Sequence, residues 1–373
     1  MRRFRVRLRA GGGPGDEGTV VVGPTIVASS APLLEQKGVA AVCPGEKTTP
    51  TVVEGLTCPS APKQLPMPAV PPFPADRFTD MTMIGKGSFG QIFRAIDRQA
   101  KTSVAIKRIE RKHAVDVARE VGILRQLQTQ CRQMILCFRG LYADDALFHL
   151  VTEFVAPPYR ELRKFIEKDR APALNANWVV PAIVNLVRGL RQIHSAGIAH
   201  RDIKPENVMV NPLSGAIKYL DFGIACRRYQ SGGRLVNDCP CGQLADAPAC
   251  ACEEYGGTPE YLAPGAVGGC IRSLVQHQKA DVWALGATLW ELLSGQPLVL
   301  QCKRLPAGGS VFCQSFSFAD NQQAGAVDRT LQAHIQAHND RARKPGSSLA
   351  PVAPFSLRSF LELDPNQRSM PNL

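Results

Sequence analysis

Short apolar runs separated by turn-forming residues mark the stretch MTMIGKGSFGQIFRAIDRQAKTSVAIKRI (81–109). It reads as three short strands, with a glycine-rich hairpin between the first two and a polar turn before a third that ends at Lys107. Apolar spacing then becomes helical in HAVDVAREVGILRQLQ (113–128). In WVVPAIVNLVRGLRQIHSAG (178–197), Val180, Ile183, Val184, Val187, Leu190 and Ile193 fall at helical spacing and Gly197 stops the run. KADVWALGATLWELLSG (279–295) predicts another buried helix. Strands come first and helices after. The expected class is therefore α+β, a small N-terminal sheet lobe with one helix followed by a larger, mainly helical lobe.

Residues 1–77 show no sustained periodicity and are rich in Pro, Gly, Ala and Thr. PKQLPMPAVPPFP (62–74) reads as an extended linker closing a disordered tail. The pattern changes at Phe78, and no internal repeat is visible. At 373 residues, with 45% hydrophobic and 20% charged content, the chain can bury one large core or two modest ones. The net charge of +12 is spread along the sequence. It favours acidic surfaces or nucleic acid as loose partners, with no specific nucleic-acid binding expected.

No apolar run approaches the roughly 18 residues of a membrane helix. MRRFRVRLRAGGG has no apolar segment behind it and is not a secretory signal. An organelle transit peptide stays open, although Asp16 and Glu17 and the scarcity of Ser argue against one. The expected location is intracellular, in cytoplasm or nucleus, with the 12 cysteines as reduced thiols.

Candidate chemistry sits in four motifs. The first is the glycine-rich stretch Ile84, Gly85, Lys86, Gly87, Ser88, Phe89, Gly90, Gln91 and Ile92, in a strand hairpin rather than at a helix start. Its glycines let backbone amides come close to phosphate oxygens. Seventeen residues after Gly90, VAIK ends in Lys107, a cation able to reach the same phosphates. In HRDIKPENVMV (200–210), Asp202 can take a hydroxyl proton, Lys204 can face a transferring phosphoryl group and Asn207 can ligate a metal. DFG follows at 221–223, where Asp221 offers a hard carboxylate to magnesium.

This set, in this order, resembles the eukaryotic protein kinase family over about residues 78–369. The resemblance implies a bilobal fold, with an N-lobe of about 78–154 and a C-lobe of about 155–373. It implies ATP and Mg2+ as cofactors and protein substrates as partners. Position by position, Lys107 would hold the ATP phosphates and pair with a helix carboxylate, Glu120 or alternatively Glu110. Asp202 would be the catalytic base, Lys204 the phosphate contact, and Asn207 and Asp221 the magnesium ligands. LVTEFVAPPYRELRKFI (150–166) resembles the hinge, with Thr152 as gatekeeper and backbone groups of Glu153 and Val155 on adenine. The same apolar pattern also fits an ordinary buried strand and turn.

Lys204 and Thr258, in GTPEY, resemble the serine/threonine kinases rather than the tyrosine kinases. The implied activity is transfer of the ATP γ-phosphate to Ser or Thr hydroxyls. The rival is a pseudokinase scaffold that binds nucleotide or partners without turnover. Glu161 and Glu206 imply basic residues before the acceptor, and Tyr255, Pro259 and Leu262 an apolar one after it. Glu254 stands where basophilic relatives carry a phosphothreonine and could pair with Arg201.

A Cys-rich insertion of about 226–256 contains Cys239, Cys241, Cys250 and Cys252, which read either as a tetrahedral zinc site or as a loose insertion. Finally, Gly265 replaces the Glu that usually pairs with an Arg near the end of the helical lobe. Arg368 must then reach water or another acceptor, with Asp364 and nearby carbonyls the nearest in sequence.

Overall fold

The computed structural model describes residues 70–373 except 88–89, 130, 132, 169–176, 232–233, 238–256, 268–272, 299–300, 305–310, 315–317 and 319–320, together with 4–5 and 27–28. Most of the tail, Ser88, Phe89, the four candidate zinc cysteines, Glu253, Glu254 and Tyr255 lie outside the described residues.

Five antiparallel strands form the first lobe: β1 (Phe78–Gly87), β2 (Gly90–Asp97), β3 (Thr102–Glu110), β4 (Phe138–Ala143) and β5 (Leu147–Glu153), in the order β1-β2-β3-β5-β4. The predicted hairpin and third strand are present, but β3 runs past Lys107 to Glu110, because β5 pairs with it as far as Glu110↔Leu147. On β3, Val104, Ile106 and Ile109 are buried. Helix α1 (Ala114–Gln126) lays Val117, Val121 and Leu124 on the sheet, the i, i+4, i+7 face of an amphipathic helix. Glu120 shares that buried face, so a carboxylate there needs a partner. The same helix carries Gly122 in its interior, where glycine costs about 0.5–1 kcal/mol relative to alanine.

Ordered packing begins ahead of Phe78. Phe73 N–H donates to Ala143 O at 2.9 Å and Ala143 N–H to Pro71 O at 3.0 Å. The Phe73 ring stacks on His149 with centroids 3.9 Å apart. Arg77 grips Asp97 through Nε at 2.9 Å and Nη2 at 2.7 Å. The boundary drawn at residue 77 thus falls inside a contact that ties the end of the proline-rich segment to the sheet.

The second lobe is built on α2 (Leu162–Lys168), α3 (Val179–Ser195), α5 (Leu274–Ser294) and α6 (Ala324–Ala342). Helix α5 is buried on nearly all sides and starts earlier than its apolar run, at Leu274, because Ser273 caps it by accepting from Gln276 N–H at 3.2 Å. Gly295 ends it in the left-handed conformation, φ 70°. Between the helices lie β6 (Ile198–Ala199), the β7–β8 hairpin (Val208–Val210, Ile217–Tyr219), β9 (Cys226–Ser231), β10 (Arg234–Asn237) and the short helix α4 (Pro264–Val267), which contains Gly265. The start of the proposed Cys-rich insertion is therefore a strand paired to β6 and β10.

One expectation is corrected outright. Cys131 and Cys137 form a disulfide, and Cys226 is also disulfide-bonded. The α1–β4 connection brings the Cys131 and Cys137 Cα atoms to 4.8 Å, inside the bridging range, a proximity that composition does not reveal. No helix among the described residues is long and apolar enough to cross a membrane.

Candidate active site

The buried carboxylate on α1 finds its partner on β3. Lys107 Nζ lies 3.0 and 3.1 Å from the two Glu120 oxygens and 2.8 Å from Asp221 Oδ1. One ammonium thereby joins sheet, helix and the DFG segment of the other lobe. Burial works against the Lys107 charge, but Asp221 and Glu120 together hold its pKa above the ordinary lysine value. For Asp221 burial acts upward, yet Lys107 outweighs it and the carboxyl sits below its ordinary range. Glu110, the alternative partner, faces out and pairs with Lys112.

A second cluster forms around the HRD turn. Asp202 accepts from Thr258 Oγ1 at 2.7 Å, from Asn207 Nδ2 at 2.8 Å and from Lys204 Nζ at 2.8 Å. Lys204 Nζ also donates to Thr258 Oγ1 at 2.6 Å. Asn207 spends its Nδ2 on Asp202, and no hydrogen bond to its Oδ1 occurs among the described residues. The turn is held from behind by Asp281 on α5, which accepts from the N–H groups of His200 at 2.8 Å and Arg201 at 2.7 Å and contacts His194 Nε2 at 3.0 Å. His200 accepts from Asp202 N–H at Nδ1, so its Nε2 donates to Leu220 O at 2.9 Å. Arg201 and Asp221 both hold left-handed backbones, φ 69° and 53°. Such conformations cost non-glycine residues free energy and persist where the surroundings impose them.

The β1–β2 hairpin carries the candidate glycines Gly85, Gly87 and Gly90. A Cβ at Gly85 would meet nothing within 4 Å, whereas one at Gly90 would lie 1.7 Å from Arg108 O, so only glycine fits there. Lys86, Gln91 and half-buried Ile92 belong to the same hairpin, and Ile84 is exposed. At the hinge, Thr152 is buried. Glu153 N–H is committed to Cys137 O at 2.9 Å, while the backbone of Val155 makes no hydrogen bond among the described residues.

The protein kinase domain model matches residues 78–371. The chain belongs to the protein kinase family. Among its relatives, it is 31% identical over 227 residues to glycogen synthase kinase 1 of Pyricularia oryzae, covering 60% of this chain and 51% of that one. It is 28% identical over 224 residues to cyclin-dependent kinase F-4 of Oryza sativa subsp. japonica, 60% and 43% covered. It is also 28% identical over 231 residues to mitogen-activated protein kinase 12 of Danio rerio, 60% and 55% covered. The chain spans about half the length of these curated relatives.

Within this kinase fold, two groups escaped the motifs. Lys218 is buried and donates to Cys131 O at 2.8 Å, Ile135 O at 3.2 Å and Glu153 Oε1 at 2.6 Å. The Glu153 carboxylate also accepts from Cys137 N–H at 3.0 Å, so the end of β5 is braced from two sides. Arg163 on α2 bonds Glu206 Oε1 at 2.9 Å and also reaches Glu291 and the Tyr261 hydroxyl. Glu206 thus has an internal cation, and Glu161 lies 4.0 Å from Lys164. Leu262 packs half-buried against the core. No period in the sequence marks Arg163; Glu291, a charge inside the apolar run that follows Asp281 in α5, was the available signal.

Arg368 is 2% exposed. Its guanidinium donates to Glu362 O at 2.6 Å and Leu363 O at 3.0 Å and lies 5.1 Å from the Trp283 ring centre. Backbone carbonyls and an aromatic face serve it. The Asp364 carboxylate instead accepts from Asn366 N–H at 2.9 Å.

Proposed function

We propose that this kinase transfers the γ-phosphoryl group of ATP to Ser and Thr hydroxyls of protein substrates. The observation that supports this best is the pair of converging clusters: Lys107 reaching across to Asp221 at 2.8 Å, and Asp202 bonded at once to Thr258, Lys204 and Asn207. The residues suit the groups they would hold. Asn207 Oδ1 and the Asp221 carboxylate are hard oxygen donors, as magnesium requires. Lys107 and the hairpin from Ile84 to Ile92 suit nucleotide phosphates, and the open backbone groups at Val155, with the Glu153 carbonyl, suit an adenine edge. Magnesium supplies charge neutralisation on the phosphates when bound.

Asp202 is positioned to accept the proton of a substrate hydroxyl, with Asn207 fixing its orientation. Lys204 neutralises charge beside the same carboxylate. Thr258, hydrogen-bonded to both, ties the segment that receives substrate to the base, a tie that favours an aliphatic hydroxyl acceptor. A basic preference upstream rested on Glu161 and Glu206; with Glu206 held by Arg163, a substrate arginine must compete for it. Action in cytoplasm or nucleus, where ATP meets protein substrates, goes with this reading.

The decisive experiment is radiolabelled ATP with a generic basic protein, followed by phosphoamino-acid analysis. Label on Ser and Thr is expected. Asp202→Asn should reduce it by about 100-fold or more, the scale of a lost general base. Label unaffected by Asp202→Asn, or no transfer with nucleotide still bound, supports the scaffold alternative instead.

A further inference from the structure

The interior glycine of α1 has an occupant over it. A Cβ at Gly122 would lie 2.3 Å from Nη2 and 2.7 Å from Cζ of Arg227. Arg227 follows buried Cys226 on β9, where its backbone pairs with Ile198 of β6. Its Nη1 donates to Gln126 Oε1 at 3.2 Å, and Gln126 Nε2 donates to Ala196 O at 2.6 Å. One amide thus spends its acceptor on the segment after DFG and its donor on the end of α3.

Gly122 and Gln126 are one helical turn apart and share a face. At about 100° per residue, Gly122 lies about 200° around the helix from Glu120. Helix α1 is therefore gripped on one side by Lys107 and on the far side by Arg227. The apolar face of α1 already packs on the sheet, and the second grip adds a polar restraint on the roll of the helix.

We propose that Arg227 is a positioning residue, seated over Gly122 and bonded to Gln126, that latches α1 in the orientation where Glu120 meets Lys107. This rests on the reading of the site as an ATP-dependent phosphotransferase. Glycine at 122 is required because the guanidinium lies against bare helix backbone. The group displaced by a larger residue is the tip of a flexible side chain, so losing the latch need not unfold the lobe.

The test compares Gly122→Ala, Arg227→Ala and the double variant with the unsubstituted protein, reading kcat, KM for ATP, KM for the protein substrate and melting temperature. Each single change is expected to raise KM for ATP or lower kcat so that kcat/KM for ATP falls about 3–10-fold, the range of one ordinary hydrogen bond at the 3.2 Å seen between Arg227 and Gln126. KM for the protein substrate should hold. Gly122→Ala should melt at or above the parent temperature, since it removes an interior helix glycine. The double variant should be no worse than the worse single, because both remove one contact.

Unchanged kcat/KM in both singles, or losses that multiply in the double, overturns the latch. If the unsubstituted protein shows no turnover, the functional reading fails. ATP affinity measured by calorimetry across the same variants then decides the latch by the same pattern of equal, non-multiplying losses.

Discussion

Lys218 shows how a single buried side chain braces a site without touching its chemistry. Its ammonium serves two carbonyls of the α1–β4 connection and the Glu153 carboxylate, so that the hinge, the disulfide-linked loop and β8 meet on one charge. Removing one member of a buried pair costs about 3–5 kcal/mol, but the Glu153 side chain keeps 21% exposure, which places the loss toward a smaller value. Lys218→Met should therefore lower unfolding stability by about 2–3 kcal/mol in urea titrations. A loss below about 1 kcal/mol would show the pair to behave like a surface one. At the same scale, the sequence favoured Glu120 as partner of Lys107, with Glu110 the weaker alternative. The helical phase of α1 settles the choice, since Glu120 shares the face of Val117, Val121 and Leu124.

Among the elements, α3 and α5 were legible because their apolar positions follow the helical period. Helix α6 was not, because His334, His338 and Asn339 occupy buried positions and break the apolar stripe. They are accommodated by tertiary partners: His338 Nε2 donates to Ala350 O at 2.9 Å and Asn339 Nδ2 to Val352 O at 2.8 Å. The Arg368 anchor is likewise a matter between elements. Its carbonyl partners mean that Arg368→Met strands buried acceptors and should cost about 2–4 kcal/mol by thermal or chemical unfolding. Gly265→Glu, by contrast, should change stability by less than about 1 kcal/mol, because the guanidinium already has acceptors. A gain of more than about 2 kcal/mol that vanishes in the Arg368→Met background would show that the substituted carboxylate forms the usual pair after all.

Across the whole molecule, Asp281 ties the buried helix α5 to the HRD turn and to α3. Burial pushes its pKa up, yet the hydrogen bond from His194, the nearby imidazoles and the Arg201 N–H together win, and the carboxyl sits below its ordinary range. A depressed folded pKa contributes stability that is complete above the unfolded value, about 4, and is lost as pH falls through the lower folded value. Acid unfolding should therefore steepen below about pH 4, and Asp281→Asn should flatten that limb while lowering stability at neutral pH. An unchanged acid limb in the variant would place the acid-sensitive group elsewhere. The sequence by itself determined the order of lobes and the family, and it singled out Lys107, Asp202, Lys204, Asn207 and Asp221 as candidates, because their motifs follow one another in a fixed order. Only the tertiary structure decided where each buried or half-buried charge is held. Arg163 holds Glu206, Lys218 holds Glu153, Arg227 lies over Gly122, and Arg368 rests on carbonyls. Those pairings span 43, 65, 105 and 6 residues of chain, and at most of these distances no local period or spacing rule connects the partners. Their proximity comes from packing, and the low dielectric of the packed interior then strengthens the buried ones.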